Sequence, residues 1–213
     1  SNSYGETSDP SGIFRHVDAG YLRSCGVRDD GSLTCWGYNG GSSAPPPTGD
    51  FTEVGVGRNH ACALATDGTI ACWGQQTYGQ TTSPSGTFTH LAVGAWHTCA
   101  IAENGTMACW GRNTEGQTNA PPVSYVDVVA GDSHTCAVRT DGLVHCWGYD
   151  NRGQASPDFD TDDDGVTDQD ELDLGWNPLD ADPDGDGLND GGERAAGSDP
   201  FDPDTDDDNL SDG

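Results

Sequence analysis

The chain has 213 residues, a formal net charge of −28 and no lysine. So acidic a balance repels nucleic acid and anionic lipid surfaces and directs attention to cations. No apolar run approaches the 18 or so residues of a membrane span, and the opening Ser-Asn-Ser-Tyr has no charged and apolar leader, so the chain reads as soluble and already processed.

The charge is unevenly placed. Residues 1–157 carry 14 acidic and 7 basic residues, whereas residues 158–213 carry 22 acidic residues against the lone Arg194. Adaptation to salt would spread acid over every surface, so a separate acidic segment is the better reading. Three regions follow in chain order: an extended leader over 1–12 that belongs to no repeat, a repeat region over 13–156, and an acidic tail over 158–213.

Eight cysteines at positions 25, 35, 62, 72, 99, 109, 136 and 146 copy one C-x9-C pair four times with a period of 37 residues. Gly20, Gly57, Gly94 and Gly131 precede each first cysteine by five, and Trp36, Trp73, Trp110 and Trp147 follow each second one. A unit this short cannot bury its own apolar face and must stack on its neighbours. Copy two reads as three short strands: FTEVGVG from Phe51, HACALA from His60 and TIACWGQ from Thr69, with a turn at Thr66-Asp67-Gly68 between the last two. A three-residue hairpin loop with glycine at its third position sets the register, placing Ala65 opposite Thr69, Leu64 opposite Ile70 and Cys62 opposite Cys72.

That register favours disulfides within hairpins: Cys25 to Cys35, Cys62 to Cys72, Cys99 to Cys109 and Cys136 to Cys146. Pairing between successive copies is the alternative, but it would strand Cys25 and Cys146. Each ten-residue bridge is worth roughly 2.5 to 3 kcal/mol in the chain-entropy account, and paired cysteines imply an oxidising compartment. Zinc competes because His60, His97 and His134 stand two residues before a cysteine. Copy one has Arg23 there, and C-x9-C is not a finger spacing.

The segments VGVGRNHACALATDGTIACWGQ, LAVGAWHTCAIAENGTMACWGR and VVAGDSHTCAVRTDGLVHCWGYDNRGQ resemble regulator-of-chromosome-condensation-type repeats, including the closing Gly79-Gln80, Gly116-Gln117 and Gly153-Gln154. The resemblance covers residues 13–156 and implies an all-β fold, a β-propeller with short three-stranded blades. Copy one departs from the pattern, lacking the histidine and the Gly-Gln and carrying Gly40-Gly41 and Pro45-Pro46-Pro47 in the following loop. The family builds seven blades as a rule, so four copies leave three arrangements: a closed four-bladed ring, a propeller arc completed by another chain, or blades outside this sequence. The family's guanine-nucleotide exchange is not carried over, because it needs a reducing nuclear setting and a surface that attracts DNA. The recurrent histidines are expected to bond a blade turn, and the tryptophans to pack between blades.

In the tail, Asp160, Asp162, Asp164, Val166, Asp168 and Glu171 occupy positions 1, 3, 5, 7, 9 and 12 of a calcium loop, with Gly165 at position 6. Asp182, Asp184, Asp186, Leu188, Asp190 and Glu193 repeat the pattern 22 residues on, with Gly187 at the bend. A third loop offers Asp204, Asp206, Asp208, Leu210 and Asp212, with Asn209 in place of the glycine and no twelfth position. Alternate carboxylates converge on one hard cation, position 7 gives its carbonyl, and the glutamate can bind through both oxygens. Asp158, Asp180 and Asp202 recur at the same step and could serve neighbouring ions. The 22-residue period is too short for paired EF-hands, and Asn177-Pro178 and Asp199-Pro200 are read as breaking any helix. The stretch resembles bacterial thrombospondin type 3 repeats, which implies an irregular segment wrapped around Ca2+ and folded by it.

The expected function is that of an extracellular, calcium-binding structural or adhesive protein, a surface component or a self-associating fibre subunit. The filament expectation rests on the unassigned leader, the shortage of blades and the unfinished third loop. The alternative is a monomeric recognition module that binds a protein or glycan through blade loops, with Tyr38, Tyr78 and Trp96 as candidate contacts. No serine elbow, phosphate loop or metal-hydrolase histidine pair is present, so catalysis is not expected.

Overall fold

A computed structural model describes residues 5, 10–38, 45–155, 160, 162–206, 208 and 210–213. Most of segment 1–12, the Gly40-Gly41 loop, Asp158 and Asn209 lie outside the described residues. The chain divides into two compact units, Ser1–Ser156 and Pro157–Gly213.

In the first unit, twelve strands form four antiparallel three-stranded sheets. They are β1 (Phe14–Ala19), β2 (Arg23–Arg28) and β3 (Leu33–Gly37); β4 (Phe51–Val56), β5 (His60–Ala65) and β6 (Ile70–Gly74); β7 (Phe88–Val93), β8 (His97–Ala102) and β9 (Met107–Gly111); β10 (Tyr125–Ala130), β11 (His134–Arg139) and β12 (Val144–Gly148). Each sheet is one blade and one 37-residue copy. Cys62 stands opposite Cys72 and Leu64 opposite Ile70, the register set by the three-residue loop. Gly68 takes φ 82° at its third position, a left-handed conformation that side chains resist. All four hairpins are bridged, Cys25–Cys35, Cys62–Cys72, Cys99–Cys109 and Cys136–Cys146, and no cysteine is free.

The weak alternation of β5 and β8 has a packing cause. Both strands are buried on both faces, because each lies in a blade with a neighbour on either side. One face of β2 and β3 (Cys25, Val27, Leu33, Cys35) packs on Phe51, Val54, Val56 and Trp73 of the next blade. Cys62, Leu64 and Ile70 meet Phe88 in the same way, and Cys99 and Ile101 meet Tyr125, Val128 and Trp147.

Polar pairs repeat at these contacts. His60 Nε2 lies 3.0 Å from Thr98 Oγ1, and His97 Nε2 2.9 Å from Thr135 Oγ1. The histidines thus join successive blades, where a bond to a blade turn was expected. Gly94 makes room for this: a Cβ there would fall 2.2 Å from His97 Cε1 and 2.5 Å from the Gly131 carbonyl. Trp110 Nε1 donates to the Gln80 carbonyl and Trp147 Nε1 to that of Gln117, both at 3.0 Å. The Gly-Gln of each copy is therefore a strap for the tryptophan of the next. Copy one lacks it, and Trp73 Nε1 is buried with no partner.

The four blades form an open arc. The packing that β2 makes on β4, β5 on β7 and β8 on β10 has no counterpart between β11 and β1. Val17 is 61% exposed where its equivalent Val54 is 2% exposed, and Val129 is 62% exposed where Ala92 is 7% exposed. Among the described residues the four blades do not close into a ring.

Part of the leader's sequence recurs later in the chain. Tyr4-Gly5, Thr7, Pro10-Ser11-Gly12 and Phe14 stand 74 residues before Tyr78-Gly79, Thr81, Pro84-Ser85-Gly86 and Phe88. Gly5 and Gly79 share φ 77°.

The second unit holds two short helices, α1 (Asp168–Leu174) and α2 (Asp190–Ala196). The tail, expected to be irregular, thus holds short helices, each placed between a loop and the following Asn-Pro or Asp-Pro, which stands just past its end. Asn189 caps α2, its side chain accepting from Gly192 N at 2.9 Å, and Gly197 ends it at φ 85°.

Candidate metal centre

The carboxylates of Asp160, Asp162 and Asp164 converge, with one oxygen from each lying within 4.8 Å of the others. The same holds for Asp182, Asp184 and Asp186, and for Asp204, Asp206 and Asp208. Oxygens bound to one Ca2+ at about 2.4 Å stand no farther than about 5 Å apart, so each trio matches a single ion in size.

Backbone amides hold the trios in place. Asp160 accepts from Asp164 N at 3.0 Å and Gly165 N at 2.9 Å, and Asp164 Oδ1 accepts from Val166 N at 2.7 Å. In the second loop Asp182 accepts from Gly185 N and Gly187 N at 2.9 and 3.2 Å, and Asp186 Oδ1 from Leu188 N at 2.7 Å. In the third, Asp204 accepts from Asp208 N at 3.0 Å and Asp208 from Leu210 N at 2.9 Å. The bend glycines Gly165 and Gly187 take φ 97° and 102°. One residue pair escaped the sequence reading: position 4 is left-handed too, with Asp163 at φ 60° and Gly185 at 74°. An aspartate tolerates that region better than most side chains do.

Glu171 on α1 and Glu193 on α2 are fully buried, and neither carboxylate has a hydrogen-bond partner. A buried unpaired carboxylate is too costly to keep without a cation or a proton. Burial, then the charges of the loop aspartates, pushes both up to about 7. Asp190 is also fully buried and unpartnered, and is pushed up to about 6 by burial and then by Asp164 and Asp162. Asp162 and Asp184 move in the same direction for the same first cause. These groups fit a divalent cation, which would replace the missing partners and offset the repulsion.

The other sequence-named positions are placed less decisively. Asp168 is half-buried at the start of α1, Val166 is buried, and Leu210 is exposed. Asp180 is exposed, and the Asp202 carboxylate accepts from Asp204 N of its own loop at 3.4 Å. Asp212 accepts from Thr205 N at 3.2 Å. Arg194 meets Asp170 at 2.9 Å, with both side chains about half exposed.

A second surface lies at the inner ends of the blades, a cleft of about 360 Å³ lined by Gly20, Tyr21, Gly57, Arg58, Gly94 and Asp132 among others. The Arg58 guanidinium stands 4.8 Å from the Tyr21 ring and 5.7 Å from the Trp96 ring. Tyr78 meets Trp96 edge to face at 5.8 Å.

Comparison with known proteins agrees with this division. Residues 14–41, 51–80, 88–117 and 125–154 match the Regulator of chromosome condensation (RCC1) repeat, and residues 160–181 and 182–203 match the Bacterial TSP3 repeat. The entire ectodomain of the receptor kinase CR4 from Physcomitrella patens is similar at 30% identity and TM-score 0.56, covering 63% of this chain and 40% of its own. The CRINKLY WD40 ectodomain of the receptor kinase ACR4 from Arabidopsis thaliana is similar at 27% identity and TM-score 0.53, covering 62% and 48%. Human WBSCR16 shares the fold at 17% identity and TM-score 0.62, covering 73% and 57%. The chain thus spans 40 to 57% of the length of these structures. Among curated proteins none matches. Since the first repeat accounts for more than half of its residues, the chain belongs to the RCC1 repeat family.

Proposed function

We propose that this member of the RCC1 repeat family is an extracellular structural or adhesive module, a disulfide-stapled propeller arc carrying an acidic arm that Ca2+ folds and stiffens. The observation that carries the reading is the pair of fully buried, unpartnered glutamates, Glu171 and Glu193, each beside a trio of convergent aspartates. Asp160, Asp162, Asp164 and Glu171 hold one ion, and Asp182, Asp184, Asp186 and Glu193 a second. Bound Ca2+ supplies charge neutralisation and a coordination centre; the loops orient oxygens through their backbone amides, and the helices deliver the glutamates. Four disulfides suit an oxidising exterior, and the two plant neighbours are themselves ectodomains.

In its finer form the proposal is a surface component or fibre subunit that self-associates through the open faces at Val17 and Val129. Electron microscopy in millimolar calcium tests this, with regular assemblies expected and dispersed monomers counting against it. Calorimetry with Ca2+ tests the metal reading; the absence of heat and of any calcium-dependent protection in residues 160–203 would refute it.

The inner cleft favours a second reading, recognition of a protein or glycan. Arg58 between two aromatic rings is a preformed cationic contact in a partly apolar setting. Screening against glycans and extracellular proteins with Arg58→Ala as the control separates it from the structural one.

A further inference from the structure

We propose that Asp190, which stands in the second loop's sequence, ligates the ion of the first loop, and that Asp212 does the same for the second, so that the repeats interlock through shared cations. This rests on the calcium reading above.

The seating of the backbone carries it. Gly191 N donates to Asp164 Oδ2 at 3.1 Å, 27 residues away in the previous loop. The fit is so close that a Cβ at Gly191 would fall 2.4 Å from the Asp164 carbonyl oxygen. The contact recurs one 22-residue step later. Gly213 N donates to Asp186 Oδ2 at 2.7 Å, and a Cβ there would fall 2.7 Å from Asp186 Oδ1 and 2.8 Å from its carbonyl. Thus the residue immediately after Asp190, and the one immediately after Asp212, rests on the fifth-position aspartate of the loop before.

Asp190 is fully buried, and neither of its oxygens has a hydrogen-bond partner. Its strongest electrostatic neighbours are Asp164 and Asp162 of the first loop, ahead of Asp180 and Asp182. Glu171 and Glu193 both feel its charge, which sets it between the two centres. A carboxylate without a protein partner in that position completes an oxygen shell that Asp160, Asp162, Asp164 and Glu171 leave short of the six to eight ligands Ca2+ takes. The second loop then receives Asp212 in the same role, for an equal set of five carboxylates. Asp168, one repeat earlier, has no acidic loop before it to serve.

The first site is therefore incomplete until the second repeat has folded. Hydrogen exchange of the full chain across a calcium titration reads this, with residues 160–176 and 182–198 followed separately. Asp190→Asn is expected to raise the calcium midpoint for residues 160–176 at least tenfold, while Asp173→Asn, which removes an exposed carboxylate of α1, leaves it within twofold. Because Asp190→Asn could simply unfold α2, Asp184→Asn is the second variant. At calcium high enough to protect residues 182–198 it returns residues 160–176 to wild-type behaviour, and Asp190→Asn does not. Loss confined to residues 182–198 in Asp190→Asn, or an Asp173→Asn effect on the first loop as large as that of Asp190→Asn, overturns the shared ligand. Wild-type protein with no calcium-dependent protection in either segment would instead overturn the calcium reading itself.

Discussion

Acid should loosen the blades before it touches the hairpin turns. His60 and His97 are buried between blades, and burial, with the neighbouring histidine adding, lowers each from 6.5 to about 4. A depressed histidine is neutral in the fold and charges first in the unfolded chain, so its contribution is complete above pH 6.5 and is lost as the pH falls towards 4. A shift of about 2.5 units at 1.36 kcal/mol each amounts to about 3 kcal/mol per histidine. The two are neighbours in one stack, so together they are expected to give about 5 kcal/mol, a large share of a domain's net stability. The measurement is urea unfolding of the disulfide-intact chain from pH 7.5 to 4, followed by blade tryptophan fluorescence in a Trp176→Phe background. Stability should fall steeply below pH 6.5, and His60→Gln with His97→Gln should remove most of the slope. The depressed carboxyls of Asp30 and Asp67, held by Ser32 and Thr69, act only below about pH 3.8 and do not interfere. Stability unchanged between pH 7 and 4.5 would refute the placement of these rings as buried neutral bridges.

Further outcomes follow from the same contacts. Chelation should raise hydrogen exchange across residues 160–213 and leave β5 and β8 protected, since disulfides and packing hold the blades without ions. Calcium affinity should rise from pH 5 to 8, because Glu171 and Glu193 at about 7 and Asp190 at about 6 must lose protons to bind; calorimetry in buffers of different ionisation heat would detect their release. Gly94→Ala should cost on the order of 2 to 4 kcal/mol in thermal unfolding, because its Cβ meets both the His97 ring and a carbonyl. Trp147→Phe should cost about 1 kcal/mol more than Trp73→Phe, since Trp147 alone of the two donates a hydrogen bond.

The hairpins were legible because a short loop and a glycine determine register locally. Gly68, the 37-residue period and the opposed cysteines specify one blade almost without reference to the others. What lay between blades was harder to see. His97 and Thr135 are 38 residues apart, and neither residue type announces the bond; only the Gly-x2-His spacing hints at it, because the ring occupies the space a Cβ at Gly94 would take. The register shift between Phe51 and Glu53, repeated in every blade, had no sequence signal that alternation could reveal. In the tail, the pattern of aspartates marked the loops and placed Asp190 at position 9 of the second. That Gly191 rests on Asp164 of the first loop had no such signal, because the contact spans 27 residues.

The two units meet the same shortage of apolar residues in ways that respond differently to their surroundings. The two inner blades bury both faces of their central strands only by stacking, and each hairpin bridge removes disorder from the unfolded chain whatever the solution holds. In the tail, the buried apolar side chains among the described residues are only Val166, Pro178 and Pro200, beside buried Asp164, Glu171, Asp190 and Glu193. On the calcium reading proposed above, its fold tracks free calcium. With two sites of about 0.1 mM affinity, typical of the tighter extracellular modules, 1 mM Ca2+ stabilises by about 3 kcal/mol and 0.1 mM by less than about 1 kcal/mol. That tenfold drop crosses the range in which a segment without an apolar core ceases to be ordered. The shared carboxylate proposed above would sharpen the change, because loss of the second ion would remove a ligand from the first. The acidic unit should accordingly lose order over a narrow calcium range while the blades remain folded.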